Sequence, residues 1–191
     1  MDLSEIRLEY HHKICSEIIR INENKRKQEY PNFADGSSKA SIEFAWGIIR
    51  RLGYTKTPGK LKEQTAGGRF ERITKDFLEE AFGALQHLRP GNWIYSTKLT
   101  AISGYAQYEH LAYLKEIVKN DKVLHSAIGS DYVVTPDIII SRQPVSDNEL
   151  LINKDPGIAQ YTYLRKNNYP NARPILHASI SCKWTIRSDR S

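Results

Sequence analysis

Two carboxylates and one ammonium group in this sequence have the side-chain types that cleave phosphodiester bonds. Asp137 directly precedes an apolar run, Lys183 ends the tripeptide Ser181-Cys182-Lys183, and Glu71 lies far upstream. Carboxylates hold one or two Mg²⁺ ions, and a lysine stabilises charge or helps to orient the attacking water. These residue types predict phosphodiester hydrolysis if the fold brings them together.

The first element that must position this chemistry is a predicted strand over residues 131–140, which contains Asp137. Burying an unpaired carboxylate costs several kcal/mol, so Asp137 needs a cation, a metal or strong hydrogen-bond donors. Pro136 has no N–H to donate to a strand ladder, which indicates a distorted strand or a sheet edge. We expect a ligand to reach Asp137 at this point.

The second element is a predicted strand over residues 174–184, which is mostly apolar. Because side chains alternate along a strand, Ser181 and Lys183 are predicted to share one face at the end of that strand. A hydroxyl and an ammonium group are therefore expected side by side.

A cluster of charged side chains follows this strand. Arg187, Asp189 and Arg190 begin four residues after Lys183. Arginine bonds guanine O6 and N7 as a fork, and aspartate accepts from cytosine N4, each good pair discriminating between bases by about 1–3 kcal/mol. At the start of a helix such residues face a DNA groove. The alternative is a solvated surface run with an internal ion pair, but the position next to Lys183 favours base recognition.

Three helices are predicted in the first half of the chain. The first begins at Ser4 as N-cap and runs to the charged stretch 22–29. The second begins near Ser37 or Ser38 and stops at Gly53, a glycine in the usual C-terminal position.

The third predicted helix begins at Gln64 and carries Glu71 beside its apolar face. The alternative for Glu71 is a rim charge that binds no metal. The pair Gly67-Gly68 indicates a close approach to the backbone by another molecule, DNA being one candidate. Further along, the patterns predict a strand over residues 93–98, a helix over 105–118 and a short strand over 148–153.

The composition limits the class of protein and its partners. The chain has 191 residues, enough for one well-buried domain, and 28 Lys and Arg against 22 Asp and Glu give a net charge of +6. This excess favours a polyanionic partner, although a basic protein without such a partner remains the alternative.

The cysteines and the apolar segments bear on the compartment. The two cysteines, Cys15 and Cys182, lie far apart without metal-ligand spacing, so neither a disulfide framework nor a zinc site is expected. The N-terminal segment lacks the apolar core of a signal peptide, and no window is apolar enough to span a membrane. A cytoplasmic protein without a membrane partner is predicted.

Together these motifs resemble those of a known family. Pro136-Asp137, Ser181-Cys182-Lys183, the run 187–190 and Glu71, with Gln64 seven places earlier, are similar to the type II restriction endonucleases of the PD-(D/E)XK nuclease superfamily. The resemblance is to the NgoMIV-like branch, which recognises sites with a central CCGG. In that branch a serine replaces the second acidic position of the motif and a helix glutamate takes its place, as Ser181 and Glu71 do here.

The resemblance implies a fold and a role for each motif residue. The implied fold is α/β, a restriction-endonuclease-like core with a mixed central β-sheet flanked by helices, in one endonuclease domain over residues 1–191. The implied catalytic residues are Asp137, Lys183, Glu71 and Ser181, and the implied ligands of Mg²⁺ are Asp137, Glu71 and the backbone carbonyl of Cys182. The implied DNA contacts are Arg187 and Arg190 to guanine, Asp189 to cytosine, and Gln64 to the outer base pair from the minor groove.

The function implied is that of a Mg²⁺-dependent endonuclease that cuts double-stranded DNA at GCCGGC or a related CCGG-centred site. The alternatives are a catalytically impaired DNA-binding fragment and a repair nuclease of the same superfamily. The resemblance also implies a homotetramer built from two dimers and a cytosine methyltransferase that protects the host DNA. Family members continue beyond Arg190 with a further metal-site glutamate, so we expect this chain to lack its C-terminal part.

Overall fold

A computed structural model describes residues 2–54, 57, 59–88, 90–98, 101–129, 135–150, 162–166 and 173–186. Within these ranges, helices combine with two antiparallel sheets, one of two strands and one of three, so the predicted α/β class is confirmed. The central sheet was predicted to be mixed, but its described strands pair antiparallel. The chain divides into two compact units, a first unit of Met1–Leu85 with Cys182–Ser191 and a second unit of Gln86–Ser181. The single endonuclease domain stays a prediction.

The first unit is mainly helical. Its elements are α1 (Leu3–Lys13), β1 (Ile21–Glu23), β2 (Glu29–Pro31), α2 (Lys39–Leu52) and α3 (Glu63–Ala84). Its core consists of buried apolar side chains from the helices and from the loops between them, namely Ile14, Ile18, Ile19, Phe33, Ala34, Ile42, Ala45, Ile49, Ala66 and Ile73.

Helix α1 begins and ends differently from the prediction. Its N-cap is Asp2, which accepts from the backbone of Glu5 while the Glu5 side chain accepts from the backbone N–H of Asp2, so Ser4 lies inside the first turn. This capping box satisfies two N–H groups that a helix start leaves open. A π-helical turn, Ile14–Ile18, follows α1. The predicted continuation to residues 22–29 is wrong because Ile19 is extended and β1 pairs with β2.

Helices α2 and α3 confirm the other two predictions. The side chain of Ser38 accepts from the N–H of Ser41, and Gly53 ends α2 in the left-handed region at φ 64°. Helix α3 has 22 residues and buries Ala66 and Ile73. Apart from the neighbouring residues and backbone of α3 itself, no described atom lies within 4 Å of a Cβ built on Gly67 or Gly68.

The second unit is organised around a three-stranded antiparallel sheet in the order β3-β4-β5. Its elements are β3 (Trp93–Ser96), α4 (Glu109–Asn120), α5 (Lys122–Ile128), β4 (Ile138–Arg142), α6 (Asp147–Leu150) and β5 (Ile175–Ile180). The central strand β4 carries Ile138, Ile139 and Ile140, which are at most 1% exposed. A continuous run of buried β-branched residues is what a strand covered on both faces requires.

Three predictions in the second unit need correction. The segment predicted as a strand over 148–153 begins as the helical turn α6, because Glu149 accepts from both the N–H and the hydroxyl of Ser146 and so closes a turn; residues 151–153 lie outside the described ranges. The helix predicted over 105–118 begins only at Glu109, after two 3-10 turns. The strand predicted over 131–140 begins at Ile138, with residues 130–134 outside the described ranges.

The cysteines and the helices bear on two further predictions. Both cysteines, Cys15 and Cys182, are free thiols in this structure. In the described part of the chain, no helix combines the length and the apolar character needed to cross a membrane.

Candidate functional site

The pair Asp137 and Ser181 forms the centre of the candidate site. Strands β4 and β5 are antiparallel and Ile138 pairs with Ile180, so Asp137 and Ser181 are the next two residues facing each other at that end of the ladder. The Ser181 hydroxyl donates a hydrogen bond to Asp137 Oδ2 at 3.2 Å. Strand register therefore brings together two predicted site residues that lie 44 positions apart.

The exposure of this pair corrects the expectation of a buried carboxylate. Asp137 is half-buried and Ser181 is exposed, while Ile138 just inside the strand is 0% exposed. Asp137 thus lies where the sheet core ends and solvent begins. The carboxylate is anchored by the strand beside it and accessible to a ligand.

The oxygen donors present fit a hard divalent cation. Mg²⁺ is usually held by one or two carboxylates, with water completing its shell, and the Asp137 carboxylate is accessible for this. Among the described residues no three His, Cys, Asp or Glu side chains form a group. A metal at Asp137 would be bound through carboxylate oxygen, a ligand atom that Mg²⁺ prefers.

Lys183 lies in a segment held by its neighbour Trp184. Strand β5 ends at Ile180, so the predicted strand does not extend through Lys183, which is exposed in a stretch without regular structure. The Trp184 ring packs against Phe33 and Phe70 with centroid distances of 5.5 and 5.3 Å. This packing fixes the backbone next to Lys183 within the first unit.

The same segment is tied down again at Ile186. The N–H of Ile186 donates to the carbonyl of Phe33 at 2.8 Å, and the Ser41 hydroxyl donates to the carbonyl of Ile186 at 3.0 Å. Both backbone groups of Ile186 are therefore satisfied by the first unit. The predicted base-reading residues Arg187, Asp189 and Arg190 begin directly after this anchor and lie outside the described residues.

Helix α3 carries Gln64 and Glu71. Seven residues correspond to almost two helical turns, so the two side chains leave α3 on the same face. Glu71 is half-buried and Gln64 is exposed. Phe70, which contacts Trp184, directly precedes Glu71, so the first unit links the backbone beside Lys183 to the backbone beside Glu71.

Helix α1 also packs against α3. The hydroxyl groups of Tyr10 and Thr74 are 3.1 Å apart, and the Tyr10 ring stacks on Phe77 at 4.5 Å. Burial raises the pKa of Tyr10, while the hydrogen bond to Thr74 lowers it. In addition, the Arg72 side chain of α3 donates a hydrogen bond at 2.9 Å to Glu17, which lies in the π-helical turn after α1.

The predicted site residues that the structure describes are divided between the two units. It joins Asp137 and Ser181 in the second unit, and it places Gln64, Glu71, Cys182 and Lys183 in the first unit. The anchoring roles of Trp184 and Ile186 were missed from the sequence. An aromatic residue immediately after the lysine was the available signal, but its partners Phe33 and Phe70 are too distant in sequence to be inferred.

Two comparisons with known proteins identify the family of this chain. The family model described as NgoMIV restriction enzyme matches residues 10–191. The Type II restriction enzyme NgoMIV of Neisseria gonorrhoeae is 44% identical over 165 residues, covering 83% of this chain and 57% of that relative. The chain thus matches a little over half the length of this relative. On these matches the chain belongs to the NgoMIV restriction enzyme family, and its α/β architecture is of the restriction-endonuclease type.

Proposed function

We propose that this chain provides the catalytic region of a type II restriction endonuclease that hydrolyses double-stranded DNA in the presence of Mg²⁺. The observation that carries the proposal is the hydrogen bond from Ser181 to Asp137, because it presents an accessible carboxylate at the end of a buried strand. The proposed target is GCCGGC or a related site centred on CCGG, as the resemblance implies.

Asp137 would hold the metal, with the carbonyl of Cys182 and the carboxylate of Glu71 as the further proposed ligands. A bound Mg²⁺ supplies positive charge that offsets the charge developing on the phosphate. Ser181 keeps the carboxylate of Asp137 in one orientation by donating a hydrogen bond to its Oδ2 atom.

Lys183 is proposed as the catalytic cation of the site. An exposed ammonium group has three donors that can stabilise charge on a phosphate oxygen or orient the attacking water. Trp184 holds the adjacent backbone and so limits the positions that the ammonium group can reach. Hydrolysis adds the water oxygen to phosphorus as the bond to the leaving oxygen breaks.

Sequence recognition is proposed for the segment after Ile186. Arg187 and Arg190 would each bond a guanine through O6 and N7, and Asp189 would accept from a cytosine amino group. Gln64 would contact the outer base pair from the minor groove. The net charge of +6 supports a polyanionic partner.

The further partners follow from the proposed activity. A restriction endonuclease acts on DNA inside the cell, so we place the protein in the cytoplasm with a cytosine methyltransferase that protects the host genome. We also propose a homotetramer built from two dimers, as the family resemblance implies.

A plasmid with a single GCCGGC site tests this function. The protein should linearise the plasmid with Mg²⁺ and leave it intact with a chelator, and a plasmid with the site scrambled should remain intact in both. Arg190→Ala should weaken binding to the site by about 1–3 kcal/mol. A GCCGGC plasmid left intact with Mg²⁺, by a protein that still binds the site, would indicate a DNA-binding protein that does not cleave.

A further inference from the structure

The strands β1 and β2 are joined by a turn that is rich in exposed cations. The turn, residues 24–28, contains Lys25, Arg26 and Lys27 in succession, and all three are exposed. In the described part of the chain none of the three forms an ion pair. Three adjacent like charges repel one another, so this turn gains electrostatically from a polyanion. We call residues 24–28 the basic turn.

The basic turn is held in one conformation by Asn24. The Asn24 side-chain oxygen accepts from the N–H groups of Arg26 and Gln28, each at 3.0 Å, and its amide donates to the carbonyl of Gly36 at 3.1 Å. The Tyr30 ring lies so close to Gly36 that a Cβ there would meet it at 2.6 Å. The basic turn is therefore preorganised against the loop that precedes α2, which lowers the ordering cost of binding.

An open cavity of about 800 Å³ lies between the basic turn and the start of α2. Its charged lining is three cations, Lys25, Arg26 and Lys39, against one anion, Glu23. The Lys39 ammonium is 3.8 Å from Glu43, but both side chains are more than two-thirds exposed, so this ion pair is weak and easily exchanged for a phosphate. The cavity is basic overall, which favours a ligand that carries phosphate groups.

The loop beside the cavity also contacts the segment that leads to the predicted base-reading residues. The N–H of Asp35 donates to the Ser41 hydroxyl at 2.9 Å, and that hydroxyl donates to the carbonyl of Ile186. Ile186 directly precedes the run 187–190. Within the first unit, the loop before α2 therefore contacts the basic turn through Gly36 and, through Ser41 at the start of α2, is connected to Ile186.

We propose that Lys25, Arg26 and Lys39 bind the phosphate backbone of duplex DNA beside the recognition sequence. This inference rests on the proposed function, because it assigns a further contact surface to the same substrate. Phosphate contacts by exposed cations fix the register and orientation of a protein on DNA without reading the sequence. The surface would thus contribute affinity for all duplexes equally and leave the preference for CCGG unchanged.

The salt dependence of DNA binding tests this surface. The variant Lys25→Gln/Arg26→Gln/Lys39→Gln is compared with the wild-type protein on two duplexes without Mg²⁺, one with GCCGGC and one with that site scrambled. The slope of log affinity against log salt should become shallower by about 0.9 for each phosphate that the variant no longer neutralises, hence by about 2–3 in all. The ratio of the two affinities should remain at its wild-type value.

Two controls separate this surface from the net charge and from misfolding. The variant Lys115→Gln/Lys119→Gln/Lys122→Gln removes the same charge from exposed positions of α4 and α5 and should keep the wild-type slope. The variant Lys25→Arg/Arg26→Lys/Lys39→Arg keeps the charge and should also keep the slope.

The outcomes distinguish this inference from the proposed function. If the wild-type protein binds GCCGGC with preference but the glutamine variant keeps the wild-type slope, the basic turn is not a phosphate contact and the proposed function stands. An equal change of slope in both glutamine variants would likewise overturn the inference. If the wild-type protein bound neither duplex, both the proposed function and the proposed phosphate contacts would be wrong.

Discussion

The two regions that carry the predicted catalytic residues are built in different ways. Asp137 and Ser181 are positioned by strand register at the end of a sheet whose central strand is buried from Ile138 to Ser141. Lys183 lies in a segment without regular structure that is held by Trp184 and Ile186. Register places a side chain through a continuous backbone ladder, whereas the segment depends on the packing of Trp184 and on two hydrogen bonds at Ile186. We therefore expect substitutions around Lys183 to affect stability and those at the sheet end to affect activity alone.

The largest expected effect on stability is that of Trp184→Ala. Loss of the ring removes its packing against Phe33 and Phe70 and should lower the free energy of unfolding by about 3 kcal/mol. Trp184→Phe should cost much less, because the indole Nε1 is buried without a hydrogen-bond partner among the described residues. Denaturant unfolding of both variants measures this difference. An alanine variant as stable as the wild type would show that the segment is held in another way.

Ser181→Ala tests whether a substitution at the sheet end lowers activity without lowering stability. The hydroxyl is exposed and makes one hydrogen bond to Asp137, so its loss should leave the unfolding midpoint unchanged. Without that bond the carboxylate is less well oriented, and the cleavage rate should fall about tenfold, or about 1.4 kcal/mol. Single-turnover cleavage and thermal unfolding are measured on the same preparation. A loss of stability with an unchanged cleavage rate would contradict the expectation that the sheet end affects activity alone.

Tyr10→Phe tests how much the contact between α1 and α3, the helix that carries Glu71, contributes to stability. It removes the hydrogen bond between Tyr10 and Thr74 and should cost about 1 kcal/mol at pH 7. Burial raises the pKa of Tyr10 in the folded state, so the folded protein retains a proton that the unfolded chain releases above pH ~10. The stability that Tyr10 contributes is present below that pH and is lost as the pH rises through the raised pKa.

The advantage of the wild-type protein over Tyr10→Phe should therefore shrink above pH ~10. Urea unfolding at pH ~7 and pH ~10.5 measures it, with Tyr113→Phe at an exposed position of α4 as the control. A difference between wild type and Tyr10→Phe that is the same at both pH values would contradict the assignment of the hydrogen bond and of the pKa shift.

Gly68→Ala should have the smallest effect, and it should be a gain. Alanine favours a helix over glycine by up to about 1 kcal/mol. The added Cβ has no described atom within 4 Å apart from the neighbouring residues and backbone of α3 itself. Thermal unfolding should show a higher midpoint with unchanged affinity for a GCCGGC duplex. If the variant is more stable but binds DNA more weakly, then DNA approaches the backbone at Gly68, as the glycine pair indicated.

Local signals in the sequence predicted local structure well where one residue decides it. Ser38 and Gly53 mark both ends of α2 because a side-chain acceptor and a left-handed residue are needed there. The start of α1 was misplaced because Asp2 and Glu5 together form a better cap than Ser4 alone. Asp2 and Glu5 are visible in the sequence, so this cap was predictable from their spacing.

The sequence indicated the residue types of the candidate site but not the tertiary contacts that hold the neighbouring backbone in place. The motif residues Asp137 and Ser181 were identified from their sequence context, and strand register then brought them together. The contacts that fix Trp184 and Ile186 join residues more than a hundred positions apart, which no local pattern encodes. The extent of β5 was also overestimated, because an apolar run does not show where its pairing partner ends.

The central claim is that Asp137 and Lys183, from two differently built regions, both act in cleavage of the same DNA site. The most direct measurement is the single-turnover cleavage rate of one GCCGGC duplex with Mg²⁺ by the wild-type protein, Asp137→Ala and Lys183→Ala. We predict that each variant loses at least about 10²-fold in rate while it still binds the duplex. If either variant cleaves at the wild-type rate, the assignment of that residue and the shared role of the two regions are wrong.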